Sequence, residues 1–148
     1  MRVSLASDSL DGIASRLVAE VERRGHSVTL YGAFAPGDRA DWAWCCSSAA
    51  RDVSAGRSDQ AIVCCWTGTG ASIAANKVAG VRAALCADAA TAEGARTWND
   101  ANVLALSLRL TSERLLVEIL DAWFAGTPST DAEDLLNIAE LENIESRS

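Results

Sequence analysis

The chain has 148 residues, of which 49% are hydrophobic and 22% charged, and its formal net charge is −7. This length suits one domain with its own core, and the composition excludes a disordered chain, a collagen-like repeat and a coiled coil. The acidic balance argues against nucleic-acid binding, which relies on a basic surface. No apolar run approaches the roughly 20 residues of a membrane helix. The carboxylate of Asp8 interrupts any signal-peptide core, so we expect a cytoplasmic protein.

Strand-type and helix-type apolar patterns alternate along the chain. The predicted strands are 3–6, 27–31, 61–65, 83–86 and 102–106. The predicted helices are 10–24, 41–55, 71–78, 88–98, 111–124 and a last one from Thr130. Thr130 and Glu133 have the spacing of a capping box. This alternation predicts an α/β fold with a doubly wound parallel five-stranded sheet, a three-layer α/β/α sandwich.

The C-terminal segment differs in character from the rest of the chain. We divide the sequence into an α/β domain over 1–126 and a helical extension over 127–148. The extension is acidic, yet it carries five apolar residues, namely Leu135, Leu136, Ile138, Leu141 and Ile144. Apolar residues in a helix need a packing surface, which is either the same domain or a partner subunit.

The five cysteines lie inside apolar stretches, at Cys45, Cys46, Cys64, Cys65 and Cys86. An odd number of such residues indicates buried thiols in a reducing compartment rather than a disulfide framework. Neighbouring cysteines lack the spacers of zinc knuckles, and His26 is the only histidine. We therefore expect no metal site.

Ligands of parallel α/β sheets bind beyond the carboxyl ends of the strands. At one such end, a buried strand finishes at Cys65 and a glycine-rich turn opens a helix. Converging N–H groups and the helix dipole can stabilise an oxyanion and favour a thiolate. A thiolate beside an anion hole suits proton abstraction next to a carbonyl group. A strand-end cysteine with a purely structural role is the alternative.

Several short motifs, in this turn and elsewhere in the chain, are similar to those of a known family. They are Cys65-x-Thr67-Gly68-x-Gly70, Ser72 to Val78, Gly80-x-Arg82-Ala83-Ala84-Leu85-Cys86, Asn99 to Leu106, Ser7-Asp8 and Asp41-Trp42. From its first strand to about Phe124, the chain resembles ribose-5-phosphate isomerase B and the galactose-6-phosphate isomerase subunits. The resemblance implies aldose–ketose isomerisation through an enediolate, without a metal or organic cofactor. It also implies a homodimer, which can pair into a tetramer, with active sites at the subunit interface and the C-terminal extension on the partner.

The same resemblance implies roles for individual residues. Cys65 would shuttle the proton between adjacent carbons of the sugar. Thr67 and Asp8 would help to handle the sugar ring, and Asn99 would hold a substrate hydroxyl. The enediolate oxygen would be stabilised by the turn that follows the cysteine, with Gly68, Thr69 and Gly70.

Aromatic and small residues replace several family residues. Ser9 stands where the family usually has a histidine that meets phosphate, and Trp98 stands where it has a ring-opening histidine. Trp66 replaces the glycine that usually follows the cysteine. Trp66 and Trp98 are expected either to line a sugar pocket or to plug it, and Trp42 is a further candidate for substrate binding.

The phosphate-binding charges of the family are also missing. Asp131 and Asp134 lie in the stretch that normally brings a histidine and paired arginines from the neighbouring subunit, and only Arg109 keeps its charge. Each charge-assisted hydrogen bond to phosphate contributes roughly 1.5–3 kcal/mol, so their loss weakens phosphate binding by orders of magnitude. We therefore expect a sugar without phosphate, most simply a neutral one, with a cationic amino sugar as a second choice. The alternatives are a non-catalytic sugar-binding or regulatory homologue and a ribose-5-phosphate isomerase with a rebuilt phosphate site.

Overall fold

The structure is a computed structural model that describes residues 1–148. Its five parallel strands are β1 (Arg2–Ser7), β2 (Ser27–Gly32), β3 (Gln60–Cys65), β4 (Ala83–Leu85) and β5 (Val103–Ser107), in the spatial order β2-β1-β3-β5-β4. The helices are α1 (Ala14–Arg23), α2 (Trp42–Ser54), α3 (Thr69–Asn76), α4 (Ala89–Asn99), α5 (Glu113–Ala125) and α6 (Ala132–Ser146). The expected doubly wound parallel sheet is confirmed. None of these helices combines the length and the apolar character that crossing a bilayer requires.

Each face of the sheet has its own buried core. Large side chains such as Leu17, Leu116 and Trp123 fill the core beneath α1 and α5. The core beneath α2 and α3 consists mainly of alanine, cysteine and valine. Successive residues of a strand point to opposite faces, so Cys64 joins the first core and Cys65 the second.

Four helix starts differ from the sequence prediction by two or more residues, including that of α5, which begins at Glu113 rather than Thr111. Helix α1 begins at Ala14 rather than near Leu10, because Gly12 takes a left-handed φ of +55° against the Leu108 carbonyl group. The capping box at Thr130 is wrong: the carboxylate of Asp131 caps α6 by accepting the Glu133 N–H at 2.9 Å. Helix α3 begins two residues earlier than predicted, directly after the glycine-rich turn.

Hydrogen bonds join the C-terminal extension to the rest of its chain at two points. The Ser129 N–H, just before α6, donates to the Thr97 carbonyl in α4 at 2.7 Å. Near the other end, both carboxylate oxygens of Glu145 lie 3.0 Å from the Gly80 amide nitrogen. No residue of α6 is buried, and its apolar residues include Leu136, which is 73% exposed. Packing of the extension against a partner subunit therefore stays a prediction.

The outer edge of the sheet, at β4, is closed by a side chain from α3. The Asn76 amide donates to the Ala83 carbonyl and its oxygen accepts the Ala83 N–H, both at 2.9 Å. An asparagine side chain thus replaces the next strand at this position. Open strand edges invite pairing with other chains, and this contact removes the pairing groups of Ala83.

A buried carboxylate joins α2 to β1 and β2. Asp52 accepts hydrogen bonds from Ser4 Oγ at 2.7 Å, Tyr31 Oη at 2.8 Å and Arg57 Nε at 2.7 Å. Burial opposes ionisation, but these three donors outweigh it, and the pKa of Asp52 lies below its ordinary value.

We predict that Asp52→Asn lowers the free energy of unfolding by about 2–3 kcal/mol at neutral pH, because the three donors lose a charged acceptor. Since the folded pKa is depressed, this contribution is full above the unfolded value of about 4 and is lost as pH falls through the folded pKa. Urea titrations at neutral and acidic pH measure the difference. The exposed Asp59, paired with Arg2, supplies the control Asp59→Asn, which should cost less than about 1 kcal/mol. Equal losses in the two variants would contradict the prediction.

Candidate active site

Three strand ends bring the first group of predicted site residues together. Strand β3 ends at Cys65 in the middle of the sheet, and its neighbours are β1 and β5. In the strand register, Cys64 lies beside Ser7 and Cys65 lies beside Ser107. The loops that follow these strands therefore meet at one carboxyl edge. They carry Asp8, Ser9, the turn over 66–70 and Arg109.

The Cys65 sulfur lies against the first turn of α3. The residue is 4% exposed, and its Sγ accepts the Ala71 N–H at 3.4 Å. Ala71 is the third residue of α3, so the sulfur sits at the positive end of the helix dipole.

The turn between Cys65 and α3 requires glycine at its tightest point. Gly68 caps α3 with a left-handed φ of +75°. A Cβ atom there would lie 2.5 Å from Leu85 Cδ1 and 2.9 Å from the Leu106 carbonyl carbon. Glycine thus permits both the conformation and the close approach to the sheet.

Backbone amides of this turn remain open. The first hydrogen bond of α3 runs from the Ser72 N–H to the Gly68 carbonyl, and the N–H groups of Thr69 and Gly70 have no acceptor in the protein. The Thr67 and Thr69 hydroxyls lie 2.7 Å apart on the exposed side of the turn. These amides form a cradle suited to an anion or a developing oxyanion.

Two tryptophans border the cradle. The Trp42 indole lies across Gly70, where an added Cβ would be 3.0 Å from its ring atoms. Trp42 is 44% exposed and Trp66 is 54% exposed, so the two indoles form a rim with accessible faces.

Asp8, Ser9 and Arg109 complete the carboxyl edge. Asp8 is partly buried, and burial raises the pKa of its carboxyl group, with a smaller contribution from nearby Asp11. The Ser9 hydroxyl donates to the Asp11 carboxylate at 3.1 Å. The Arg109 amide donates to the Trp66 carbonyl at 2.9 Å, while its guanidinium is exposed and forms no ion pair. The edge therefore combines a carboxyl group, a thiol and one free cation.

The second group of predicted site residues lies elsewhere in the chain. Trp98 and Asn99 end α4, shortly before β5 begins, and therefore lie at the amino edge of the sheet. Five residues of strand separate that edge from Cys65, about 16 Å. Asp131 and Asp134 begin α6, close to the Thr97 contact with α4. One chain therefore does not bring these four residues to the cradle.

The residue after Asn99 has a strained backbone conformation. Asp100 ends α4 in a left-handed conformation with φ of 43°, the only positive φ outside glycine. Its carboxylate is held by Arg82 Nη2 at 3.0 Å and Arg96 Nη1 at 3.4 Å. Trp98 is 61% exposed and lies over Gly94, bordering a groove beside β4 that Asn99 also lines.

The other cysteines differ from Cys65 in their surroundings. Cys64 is fully buried in the opposite core, and burial raises its pKa. Burial also raises the pKa of Cys86, to about 11. Such thiols stay protonated at neutral pH, which agrees with a structural role.

Sequence reasoning assigned no role to two serines at this edge. Ser7 and Ser107 are buried at the ends of β1 and β5, and each bonds to the loop that leads away from a strand end. The Ser7 hydroxyl donates to the Ser9 carbonyl at 2.6 Å. The available signal was a small polar residue closing an otherwise apolar strand.

Known proteins resemble this chain in sequence and in fold. The model of the ribose/galactose isomerase family matches residues 3–139. Ribose-5-phosphate isomerase B of Escherichia coli K12 is 40% identical over 110 residues, which cover 74% of this chain and 73% of that protein. A 4-deoxy-4-sulfo-D-erythrose isomerase of Clostridium sp. MSTE9 is 34% identical over 107 residues, covering 72% and 67%. The structure of Clostridium thermocellum ribose-5-phosphate isomerase B superposes with a TM-score of 0.90 at 30% identity, covering 99% of both chains.

The fold, the strand-end site and these matches define a sugar isomerase of the α/β class. The chain belongs to the ribose/galactose isomerase family.

Proposed function

We propose that this protein interconverts an aldose and a ketose through an enediolate, with Cys65 as the proton-transfer base. The observation that carries the proposal is the position of the Cys65 sulfur, 3.4 Å from the Ala71 amide and beside the open amides of Thr69 and Gly70. A base and an oxyanion cradle on one strand-to-helix turn are what proton abstraction next to a carbonyl requires.

The proton balance of the reaction is internal. The substrate carbonyl oxygen binds the cradle amides, and the Cys65 thiolate removes the proton from the adjacent carbon. The electron pair of that C–H bond forms the enediolate double bond, and the negative charge moves to the cradle oxygen. The thiol then returns the proton to the former carbonyl carbon. The proton of the adjacent hydroxyl group passes to the former carbonyl oxygen. The product is the other isomer, and the thiolate is regenerated.

Asp8 supports the proposed handling of the sugar ring. Its carboxyl group lies at the same edge as Cys65, and burial raises its pKa. A carboxyl group with a raised pKa exchanges protons nearer to neutral pH than an ordinary aspartate. This is the chemistry that ring opening needs where the family histidine is replaced by Trp98.

The charges of the site favour a substrate without phosphate. At the carboxyl edge Arg109 has the only free cation, Ser9 carries no charge, and Asp131 and Asp134 would repel an anion brought beside them. Exposed indole faces at Trp42 and Trp66 suit the C–H surfaces of a neutral sugar. The name of the Clostridium sp. MSTE9 relative gives its substrate a sulfo group, so substrates vary within the family.

A second copy of the chain is proposed to complete the site. Trp98 and Asn99 lie about 16 Å from the cradle of their own chain and are exposed at the end of α4. A symmetric dimer can place this end of α4 against the partner's cradle, and the reverse contact follows from the two-fold axis. The exposed apolar residues of α6 provide surface for the same interface.

We predict that Cys65→Ala abolishes incorporation of solvent deuterium next to the substrate carbonyl, because no other base lies in the cradle. Free ribose, free galactose, ribose 5-phosphate and galactose 6-phosphate are incubated with the protein in heavy water and followed by NMR. The matched control is Cys64→Ala, which removes the neighbouring thiol from the opposite core and should retain turnover. Sugar binding by the wild-type chain without deuterium incorporation would instead support a non-catalytic sugar-binding protein.

The substrate proposal predicts that a free sugar is isomerised with a kcat/KM at least tenfold above that of its phosphate, because the charged phosphate ligands are absent. The same four sugars provide the comparison in steady-state assays. Inorganic phosphate serves as the competing probe and should not inhibit turnover of the free sugar. Efficient isomerisation of ribose 5-phosphate would overturn this proposal while leaving the cysteine mechanism intact.

The shared-site proposal predicts complementation between two inactive variants. Cys65→Ala and Asn99→Ala chains, unfolded together and refolded as a mixture, should regain about a quarter of wild-type activity, since half of the dimers are mixed and each has one intact site. Each variant refolded alone is the control. A mixture no more active than the separate variants would place Asn99 outside the site.

A further inference from the structure

We propose that Ser107 is a positioning residue that aims the Thr67 amide into the oxyanion cradle. The inference rests on the proposed function and adds a third backbone donor to the cradle. It is carried by hydrogen bonds between the loop after β5 and the peptide group that follows Cys65.

Three hydrogen bonds connect the two strand ends, and a fourth lies within the loop after β5. The Leu108 N–H donates to the Cys65 carbonyl at 3.0 Å, and the Arg109 N–H donates to the Trp66 carbonyl at 2.9 Å. Ser107 Oγ donates to the same Trp66 carbonyl at 3.0 Å and accepts the Leu110 N–H at 3.0 Å. The Trp66 carbonyl therefore has two donors, and both come from the β5 side.

Fixing this carbonyl also fixes the amide that follows it. In a trans peptide the C=O and N–H groups point in opposite directions because the group is planar. Since the Trp66 carbonyl points toward the loop after β5, the Thr67 N–H points away from that loop. This N–H has no acceptor in the protein. It thus joins the open amides of Thr69 and Gly70 in the same short turn.

The opposite peptide orientation would oppose catalysis. A rotated Trp66–Thr67 peptide would present a carbonyl oxygen where a donor is needed, and would repel the developing enediolate. Trp66 is 54% exposed, so its side chain contributes little packing that would hold this peptide. Ser107 is 8% exposed and its hydroxyl contacts only the Trp66 carbonyl and the Leu110 amide. A buried hydroxyl group that hydrogen-bonds to these two backbone groups indicates a positioning role.

The test compares Ser107→Ala with wild type in the heavy-water assay. We expect kcat to fall about fivefold to tenfold with KM changed less than twofold, because the cradle acts on the transition state more than on the bound sugar. Hydrogen–deuterium exchange mass spectrometry gives a readout independent of turnover. The peptide that spans residues 66–71 should exchange several-fold faster in the variant.

The matched control is Ser58→Ala, which removes an equally buried serine hydroxyl. Ser58 Oγ lies 2.7 Å from Ser4 Oγ and far from the turn, before β3 begins. It should retain kcat and the exchange rate of residues 66–71. Wild-type turnover in Ser107→Ala, or reduced turnover without faster exchange in the turn, would overturn the inference. A wild-type chain that incorporates no deuterium contradicts the proposed function, and amide exchange in the turn then decides the positioning role alone.

Discussion

The whole site depends on how β3 turns into α3 within three residues. Gly68 adopts a left-handed conformation and approaches the Leu106 backbone more closely than any side chain permits. This tight turn brings the first turn of α3 back over the strand end, so that the Ala71 N–H reaches the Cys65 sulfur. A longer connection would separate the helix dipole from the thiol. The surroundings of the Cys65 sulfur therefore follow from a backbone constraint.

Strand alternation decides which of two neighbouring thiols receives this environment. Cys64 and Cys65 share a strand, yet one faces the core of large side chains and the other faces α2 and α3. The second core is built from small residues, which lets both helices approach the sheet closely. Cys65 thereby lies beside the start of α3 while staying 4% exposed. Shifting β3 by one residue would exchange the two roles.

The sequence predicts the sheet and the carboxyl-edge group well, because both follow from local patterns. Apolar periodicity indicated five strands, and parallel strands bring Asp8, Cys65 and Arg109 to one edge. Two predicted helix starts were wrong. The close approach of Gly12 to Leu108 excludes a start near Leu10, and the cap formed by Asp131 replaces the one predicted at Thr130. These are tertiary and stereochemical effects that periodicity does not record.

The resemblance implied a site at a subunit interface, but the sequence did not show which predicted site residues lie apart in one chain. Trp98 and Asn99 were assigned to the site by resemblance, which carries no distance within one chain. The structure adds that α4 ends at the amino edge of the sheet, about 16 Å from the cradle of the same chain. The sequence assigned no role to Ser107 for a related reason, since its hydroxyl bonds to Trp66, 41 positions away.

Backbone groups at the edge of the sheet and at the turn after β3 differ in whether they have hydrogen-bond partners. At the outer edge of the sheet, Asn76 uses both polar atoms of its side chain to satisfy Ala83. At the turn after β3, the amides of Thr67, Thr69 and Gly70 have no acceptor in the protein. Thr67 and Thr69 are exposed, so water can bind their amides, as it does at other helix starts, while glycine adds an entropic cost to folding. The same amides are open to an anionic group, such as the enediolate oxygen of the proposed reaction.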